Sequence, residues 1–397
     1  MIKQLAKAVG YSCRFFYFRA VLNDITSYIN AKLNERIEGH SLRTLNTYVQ
    51  LVDFCSNDYL GFARSADLQS IFQAEISKHS YSLTGSTGSR LISGNDPFTE
   101  DLENYISHFH QAEAALIFNS GYDANVGIFS SLPQRGDTII TDELIHASII
   151  DGARLSFANR YSFKHNDLNS LEEKLKVAKG RIFIAVESIY SMDGDTAPLQ
   201  KIAALAERYS AALIVDEAHA VGIFGEQGQG LVHQLGLQDQ VFARIITFGK
   251  ALGCHGAAIL GSQALRSYLI NFARSFIYTT AASPLSHLSV YSAYQYLRRN
   301  NFKRDIELKI AAFKEAAGQL PGLFINSESP IQCLLVEGNQ KAKRLEAALQ
   351  DAGFAVRAIL HPTVAEGKER LRFCLHTFNS DNEIKLLLKK VAETFKD

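Results

Sequence analysis

The chain carries no surplus of either charge, since 41 lysines and arginines balance 41 aspartates and glutamates. Nothing in that balance draws it toward nucleic acid or an anionic membrane. Its five cysteines, at 13, 55, 254, 333 and 374, are odd in number and scattered, with no C-x-x-C pair. That spacing offers no disulfide framework and no zinc ribbon, and it fits a reducing cytosol. No window approaches the roughly 20 uncharged apolar residues that a membrane span requires, so a soluble, cytoplasmic protein is expected. Met1 to Phe18 is basic and aromatic, but Arg14 and Arg19 interrupt it and no small-residue cleavage site follows. It reads as an N-terminal arm. There is no internal repeat and no low-complexity tract.

Two phosphate-binding signatures are also missing. Around Gly249-Lys250 a phosphate loop would need a glycine at 244 and a Ser or Thr at 251, where the chain has Arg and Ala. Gly225 to Gly230 lacks the strand and helix context of a dinucleotide fingerprint and is expected to be a loop.

What the sequence does have is Thr247-Phe248-Gly249-Lys250-Ala251-Leu252-Gly253, 34 positions after Asp216 of an Asp216-Glu217-Ala218-His219 that closes an apolar run. A lysine that forms a Schiff base needs a desolvated pocket, which lowers its pKa, and neighbours small enough to admit a planar cofactor. Lys250 has small neighbours and lies between two apolar runs, Ile245-Ile246 and Gly256 to Gly261.

At 397 residues the chain is long for one core. Leu22, Ile25, Ile29 and Leu33 predict an amphipathic helix ending at Gly39. Strands are expected at Ala114 to Phe118, Thr138 to Thr141, Ile182 to Val186, Ala212 to Val215, Ile245 to Thr247 and Ala257 to Leu260, with amphipathic helices between them. A capping box at Ser170 to Glu173 predicts a helix ending at Gly180, and Pro198 starts another. Near-continuous apolar strands separated by helices predict an α/β fold with a mostly parallel sheet covered on both faces. After Pro284 the pattern changes to a smaller α+β unit, with a strand from Ile331 to Val336 and a helix from Lys341 to Ala352. Further strands are expected near 354–358 and 370–376, then a last helix from a second capping box at Ser380 to Glu383. The expected division is 1–60 arm and helix, 61–285 large domain and 286–397 small domain.

Ligands gather at the carboxyl ends of such strands, and His146, Ser191, Asp216, His219 and Lys250 all fall there. A poorly solvated Asp216 needs a cationic partner. A protonated pyridine nitrogen would serve, and so would a structural ion pair. A metal site lacks further clustered ligands, and the helicase reading of the same letters lacks its phosphate loop. His219 and His146 are either ligands of the same group or ordinary satisfied polar residues. Gly121 and Tyr122 follow a strand at a helix start, which is an anion site. Arg370 and Arg372 share one face of their strand, and either solvation or a function explains them.

Six motifs occur in order: Cys55-Ser56-Asn57-Asp58-Tyr59-Leu60-Gly61, Gly88 to Asn95, Asn119 to Asn125, Ser191-Met192-Asp193-Gly194-Asp195, Asp216 to Ala220 and Phe276 to Thr280. In order and spacing the chain resembles the α-oxoamine synthases, pyridoxal-phosphate enzymes of the aspartate-aminotransferase fold (fold type I). The wording Gly-Ser-Arg-Leu and Tyr-Thr-Thr-Ala is most similar to that of the biotin-pathway members. The resemblance implies a homodimeric acyltransferase that condenses L-alanine, with loss of CO2, with pimeloyl-CoA or a pimeloyl-carrier protein. It implies that Lys250 holds pyridoxal 5'-phosphate, Asp216 its ring nitrogen and His219 its ring oxygen, while His146 stacks on the ring. Gly121, Tyr122, Ser191 and Thr247 would line the cofactor and its phosphate, with Thr279 and Thr280 supplied by the partner subunit. Arg372 with Asn57 would bind the amino-acid carboxylate, and Arg43 and Thr363 the substrate. The chain departs from the pattern at Leu360-His361-Pro362-Thr363, where Arg-Pro-Pro-Thr is usual, and at Asp96, where His is common. The rivals are a family member using glycine or serine with another acyl chain, and a non-catalytic partner subunit, which would lack the lysine.

Overall fold

A computed structural model describes residues 22–79, 84–318, 320 and 324–395; the arm Met1 to Phe18 lies outside the described residues. The large sheet has seven strands in the spatial order Ala114–Phe118, Ala257–Gly261, Ala243–Thr247, Ala212–Asp216, Ile182–Glu187, Thr138–Asp142, Asn159–Phe163. The last five run parallel, and Ala257–Gly261 is antiparallel to both its neighbours. Successive side chains point to opposite faces, so Ile184 and Val186 enter one core while Phe183 and Ala185 enter another. Both faces are covered, which is why the central strands read as unbroken apolar runs.

The sequence reading missed the strand Asn159–Phe163. It pairs only with Thr138–Asp142 and exposes its first four residues, so this edge strand carries no burial pattern to detect. The Ser170 capping box is also not what forms. The helix Leu168–Val177 is capped by Asp167, whose carboxylate accepts from the Asn169 and Ser170 N–H groups at 2.9 and 3.0 Å. An anionic acceptor that takes two N–H bonds displaces the neutral hydroxyl, and Ser170 Oγ instead accepts from Lys164 N at 3.1 Å. The second capping box, Ser380 with Glu383, is formed in both directions. Pro198 caps the helix Leu199–Arg208.

The smaller sheet joins Arg357–Ile359, Arg370–Cys374 and Ile331–Leu335 in antiparallel order. Val52–Asp53 pairs in parallel with Phe354–Ala355, tying the segment ahead of the large sheet to the small unit. Alternation along Arg370–Cys374 does set the arginines opposite Leu371 and Phe373, but their face is not solvated. Arg370 and Arg372 are buried against the 190–195 loop of the large unit. The predicted helix at 22–38 is present. Its apolar residues Leu22, Ile25, Ile29, Leu33 and Ile37 remain 46–53% exposed, uncovered by the described residues.

Candidate active site

Strand register assembles the site. Glu187 pairs with Asp216, and Asp216 with Ile245, so three strand ends lie side by side and the chain past Thr247 turns over them. That turn is tight: Gly253 N donates to Lys250 O at 2.8 Å and Cys254 N to Phe248 O at 2.7 Å. Gly253 is left-handed (φ 61), and a Cβ there would lie 2.4 Å from Ala63 N, so only glycine closes this loop. Buried Phe248 and Leu252 anchor it on either side of Lys250.

Lys250 Nζ lies 2.7 Å from His219 Nε2, and His219 Nδ1 lies 2.7 Å from the Tyr59 hydroxyl. Tyr59 also reaches Asn57 Oδ1 at 3.1 Å. One arrangement satisfies every group: the amine donates to Nε2, Nδ1–H donates to the phenol oxygen, and the phenol donates to Asn57. Burial lowers the Lys250 pKa to about 8, the carboxylates of Asp216 and Glu187 opposing the shift. Burial, with Lys250 and Arg372 adding to it, holds His219 well below the ordinary imidazole range, so it is neutral. His146 is lowered as well, chiefly by burial.

Asp216 is 6% exposed and is gripped by two donors, Asn125 Nδ2 at 2.8 Å and Ala218 N at 2.9 Å. Asn125 also donates to Ser148 Oγ at 3.0 Å, and His146 Nδ1 lies 2.7 Å from that hydroxyl. The group expected at the ring nitrogen and the one expected on the ring face are thus linked through Asn125 and Ser148. Among the described residues no lysine or arginine forms an ion pair with Asp216, and the amine that feels its charge is that of Lys250.

Gly121 and Tyr122 open the helix Gly121–Ser131, capped by Ser120. A Cβ at Gly121 would stand 2.9 Å from Thr247 Cγ2, so the bare glycine keeps the helix start close to the lysine strand. The Tyr122 ring turns outward, its hydroxyl on Asp151 at 2.8 Å, leaving the backbone N–H as its contribution. Asn119 Nδ2 donates to Thr279 Oγ1 at 3.0 Å and to Thr280 O at 2.7 Å, which holds that pair beside the same helix start in one chain.

Arg372 donates to Ser191 O at 2.8 Å and to Asn57 Oδ1 at 3.0 Å. Ser191, Asn57 and Arg372 are therefore one cluster, joined through Tyr59 to His219. Arg43 and Thr363, 320 residues apart, also meet, with Arg43 Nη2 3.1 Å from Thr363 Oγ1. They line a cavity of about 340 Å³ together with Arg36, Leu42, Leu45, Arg357, Leu360 and His361. Asp96, the other departure, caps the helix Pro97–Phe109 through Thr99 N at 2.9 Å.

The sequence reading passed over Glu187. It is 4% exposed, its Oε2 accepts from Ser191 N at 3.3 Å, and its Oε1 has no partner among the described residues. Burial first, then the charge of Asp216, pushes its pKa up to about 8. The available signal was that Glu187 closes its strand in the way Asp216 closes the next one. Tyr59 and Asn125 were quoted within motifs without a role.

Residues 49–391 match the aminotransferase class I and II family, and the chain belongs to it. An 8-amino-7-oxononanoate synthase of Emericella nidulans is 42% identical over 370 residues, covering 86% of this chain and 88% of that protein. A solved structure of SPT with a PLP internal aldimine is 25% identical with a TM-score of 0.82, covering 87% of each chain. The 8-amino-7-oxononanoate synthase structure from Francisella tularensis is 29% identical with a TM-score of 0.75, covering 87% of this chain and 98% of the other.

The residues present fit pyridoxal phosphate. A desolvated amine feels the charge of a buried carboxylate, Asp216, the neutral His219 adjoins that amine, and the Gly121 and Tyr122 N–H groups head a helix. Thr247 Oγ1 is buried without a partner among the described residues, an orphan hydroxyl that a phosphate or a ring substituent would satisfy.

Proposed function

We propose that the chain is a pyridoxal-phosphate-dependent acyltransferase of biotin biosynthesis. It condenses L-alanine with pimeloyl-CoA or a pimeloyl-carrier protein to give 8-amino-7-oxononanoate, CO2 and the free thiol. The single observation that carries this reading is the Lys250–His219–Tyr59 chain with Arg372 and Asn57 at its far end, which sets an amine base and a carboxylate site on one network. The synthase relatives of 37–42% identity support the substrate pair.

When bound, the cofactor supplies an electron sink for the carbanion formed at the amino acid's α-carbon. Lys250 holds the cofactor, and its depressed pKa lets the amine take the α-proton near neutrality and return one to the product. Asp216, fixed by Asn125 and Ala218, would keep a proton on the ring nitrogen, and His219 would bind the ring oxygen. His146, tethered through Ser148, would pack on the ring. Gly121, Tyr122, Ser191 and Thr247 would hold the phosphate and the ring, and Thr279 and Thr280, which Asn119 binds within one chain, would reach the phosphate of a partner copy. Arg372 and Asn57 bind the carboxylate that leaves as CO2, and Arg43 with Thr363 contacts the acyl substrate.

The protein works as a cytoplasmic homodimer in this reading. The uncovered apolar face of helix 22–38 supports the second copy, and the four described cysteines are all free. No helix among the described residues is long and apolar enough to cross a membrane.

A second reading has support of its own. Leu42, Leu45, Ile359 and Leu360 also line the Arg43 cavity, so a plain acyl chain would find apolar walls. That would make the protein a long-chain aminoketone synthase; the glycine-using 2-amino-3-ketobutyrate CoA ligase, which takes only a two-carbon acyl group, draws no support from these walls. The test is CO2 release by the purified holoprotein given each amino acid with each thioester: alanine with pimeloyl thioester is expected to be fastest, and no release from any pair overturns the proposal.

A further inference from the structure

The loop 190–195 carries Ser191, whose carbonyl oxygen fixes Arg372. From the small unit, Arg370 forms an ion pair with Asp193 and donates to Met192 O at 3.2 Å. The hydroxyls of Ser327 and Ser329 donate to Gly194 O at 2.7 and 2.8 Å. From the large unit Glu187 Oε2 accepts from Ser191 N at 3.3 Å, and His165 and Asn166 grip Asp195. His165 Nε2 lies 2.8 Å from Asp195 Oδ2 and its Nδ1 lies 2.9 Å from Asp142 Oδ1, while Asn166 Nδ2 donates to the same Asp195 oxygen at 2.8 Å.

Asp142 ends the strand Thr138–Asp142, four residues before His146, so the imidazole bridges the two segments that carry His146 and Ser191. Each ring nitrogen faces a carboxylate oxygen. A neutral imidazole has one N–H and would set a lone pair against one of those oxygens; only the imidazolium donates to both. The titratable groups packed around it are Asp142 at the strand end, Glu143 on the turn beyond it, and Tyr190 and Asp195 on the loop. Glu143 Oε1 takes the His165 backbone N–H at 2.9 Å, and the Tyr190 ring stands edge-on at 4.5 Å. The nearest cation in sequence is its neighbour Lys164. Burial depresses the His165 pKa, but the bonds and charges of Asp142 and Asp195 more than reverse this and raise it to about 9.

We propose that His165 is a positioning residue: its imidazolium ties loop 190–195 to the turn before His146 and so keeps Arg372 set for the amino-acid carboxylate. This rests on the reading of Arg372 given above. The test uses holoprotein, wild type and His165→Gln. Ring-¹⁵N-histidine labelling, with the His165 signals assigned by their loss in the variant, should show both nitrogens protonated at pH 7.5. Alanine affinity, read from the cofactor's absorbance, should weaken on the order of tenfold in His165→Gln, as for one lost charge-assisted bond, with cofactor retained. The ratio of wild-type to His165→Gln alanine affinity should shrink from pH 8 to 10, since Lys250 and the substrate amine titrate alike in both proteins. A non-protonated ring nitrogen at pH 7.5 overturns the proposal. So does unchanged alanine affinity in a variant that has merely lost thermal stability. If the wild type binds none of alanine, glycine and serine, the Arg372 reading fails and the positioning role falls with it; the nitrogen signals tell that case from a neutral His165.

Discussion

Lys250 and Arg372 lie 122 positions apart, yet they are joined through only two side chains: His219 Nε2 accepts from the Lys250 amine at 2.7 Å, its Nδ1–H donates to Tyr59 at 2.7 Å, and Arg372 Nη2 stands 3.5 Å from the Tyr59 hydroxyl. The proposed base and the proposed carboxylate-binding cation are thus held in fixed relation by one neutral imidazole and one phenol. Burial, and after it the two cations, lowers the His219 pKa, and burial lowers that of Lys250, each in the direction the proposed chemistry needs.

Borohydride reduction of the holoprotein should fix the cofactor on Lys250, and Lys250→Ala should fold normally but lose turnover. Uptake of pyridoxal phosphate by cofactor-free protein should rise as pH passes through about 8, where burial places the amine. Peptide mapping that finds the label on another lysine would defeat the assignment.

Asp216→Asn should retain cofactor and lose at least about 10²-fold in turnover, because an amide cannot hold a proton on the ring nitrogen as a carboxylate does. Near-normal rates in that variant would leave Asp216 a structural hydrogen-bond acceptor for Asn125 and Ala218.

Arg372→Ala should bind alanine weakly while keeping its cofactor. A charged pair lost from a buried site costs roughly 2–5 kcal/mol, seen as a rise in KM and in the spectroscopic dissociation constant. Unchanged affinity would move the carboxylate site elsewhere; Arg370 is already engaged by Asp193.

Because the folded-state pKa of His165 is raised from 6.5 to about 9, its contribution to stability is complete below about pH 6.5 and is lost as pH rises through 9. The shift corresponds to about 3 kcal/mol at most. Urea unfolding at pH 6 and pH 10 should show a change toward lower stability that is larger in the wild type than in His165→Gln. Equal pH dependence in the two proteins would contradict the charge assignment.

The sequence disclosed those parts of the site whose neighbours in the chain are also neighbours in space. Asp216, His219 and Lys250 close or follow apolar strands, and that placement is written in local pattern. His165 was hidden because its carboxylate partners lie 23 and 30 positions away, a pairing that only the strand order creates. Asn159–Phe163 escaped because an edge strand with an exposed face shows no period of burial. The arginines of Arg370–Cys374 were correctly set on one face, but periodicity alone cannot tell water from another domain. Arg43 and Thr363 came from the family resemblance, and the fold brings them into hydrogen-bond contact.

The substrate pair turns on the Arg43 cavity. With Leu360-His361 in place of the usual arginine, a distal carboxylate keeps Arg43, Arg36 and Arg357 on the cavity wall. Arg43 makes one neutral contact, to Thr363, whereas Arg357 already reaches Glu346 at 3.6 Å and Tyr48 at 2.8 Å. Among the described residues neither Arg43 nor Arg36 has a carboxylate partner on that wall, and Arg43, held on Thr363, is the one we assign to a distal carboxylate. Arg43→Ala should raise KM for the pimeloyl thioester by tenfold or more, the loss of one charge-assisted pair, while leaving an unbranched fatty acyl thioester of equal length unaffected. The wild type should prefer the pimeloyl thioester by kcat/KM, and the preference should shrink in the variant. A wild type that prefers the fatty acyl thioester, with Arg43→Ala indifferent to both, would assign the cavity to a plain alkyl chain and replace the biotin reading with the aminoketone one.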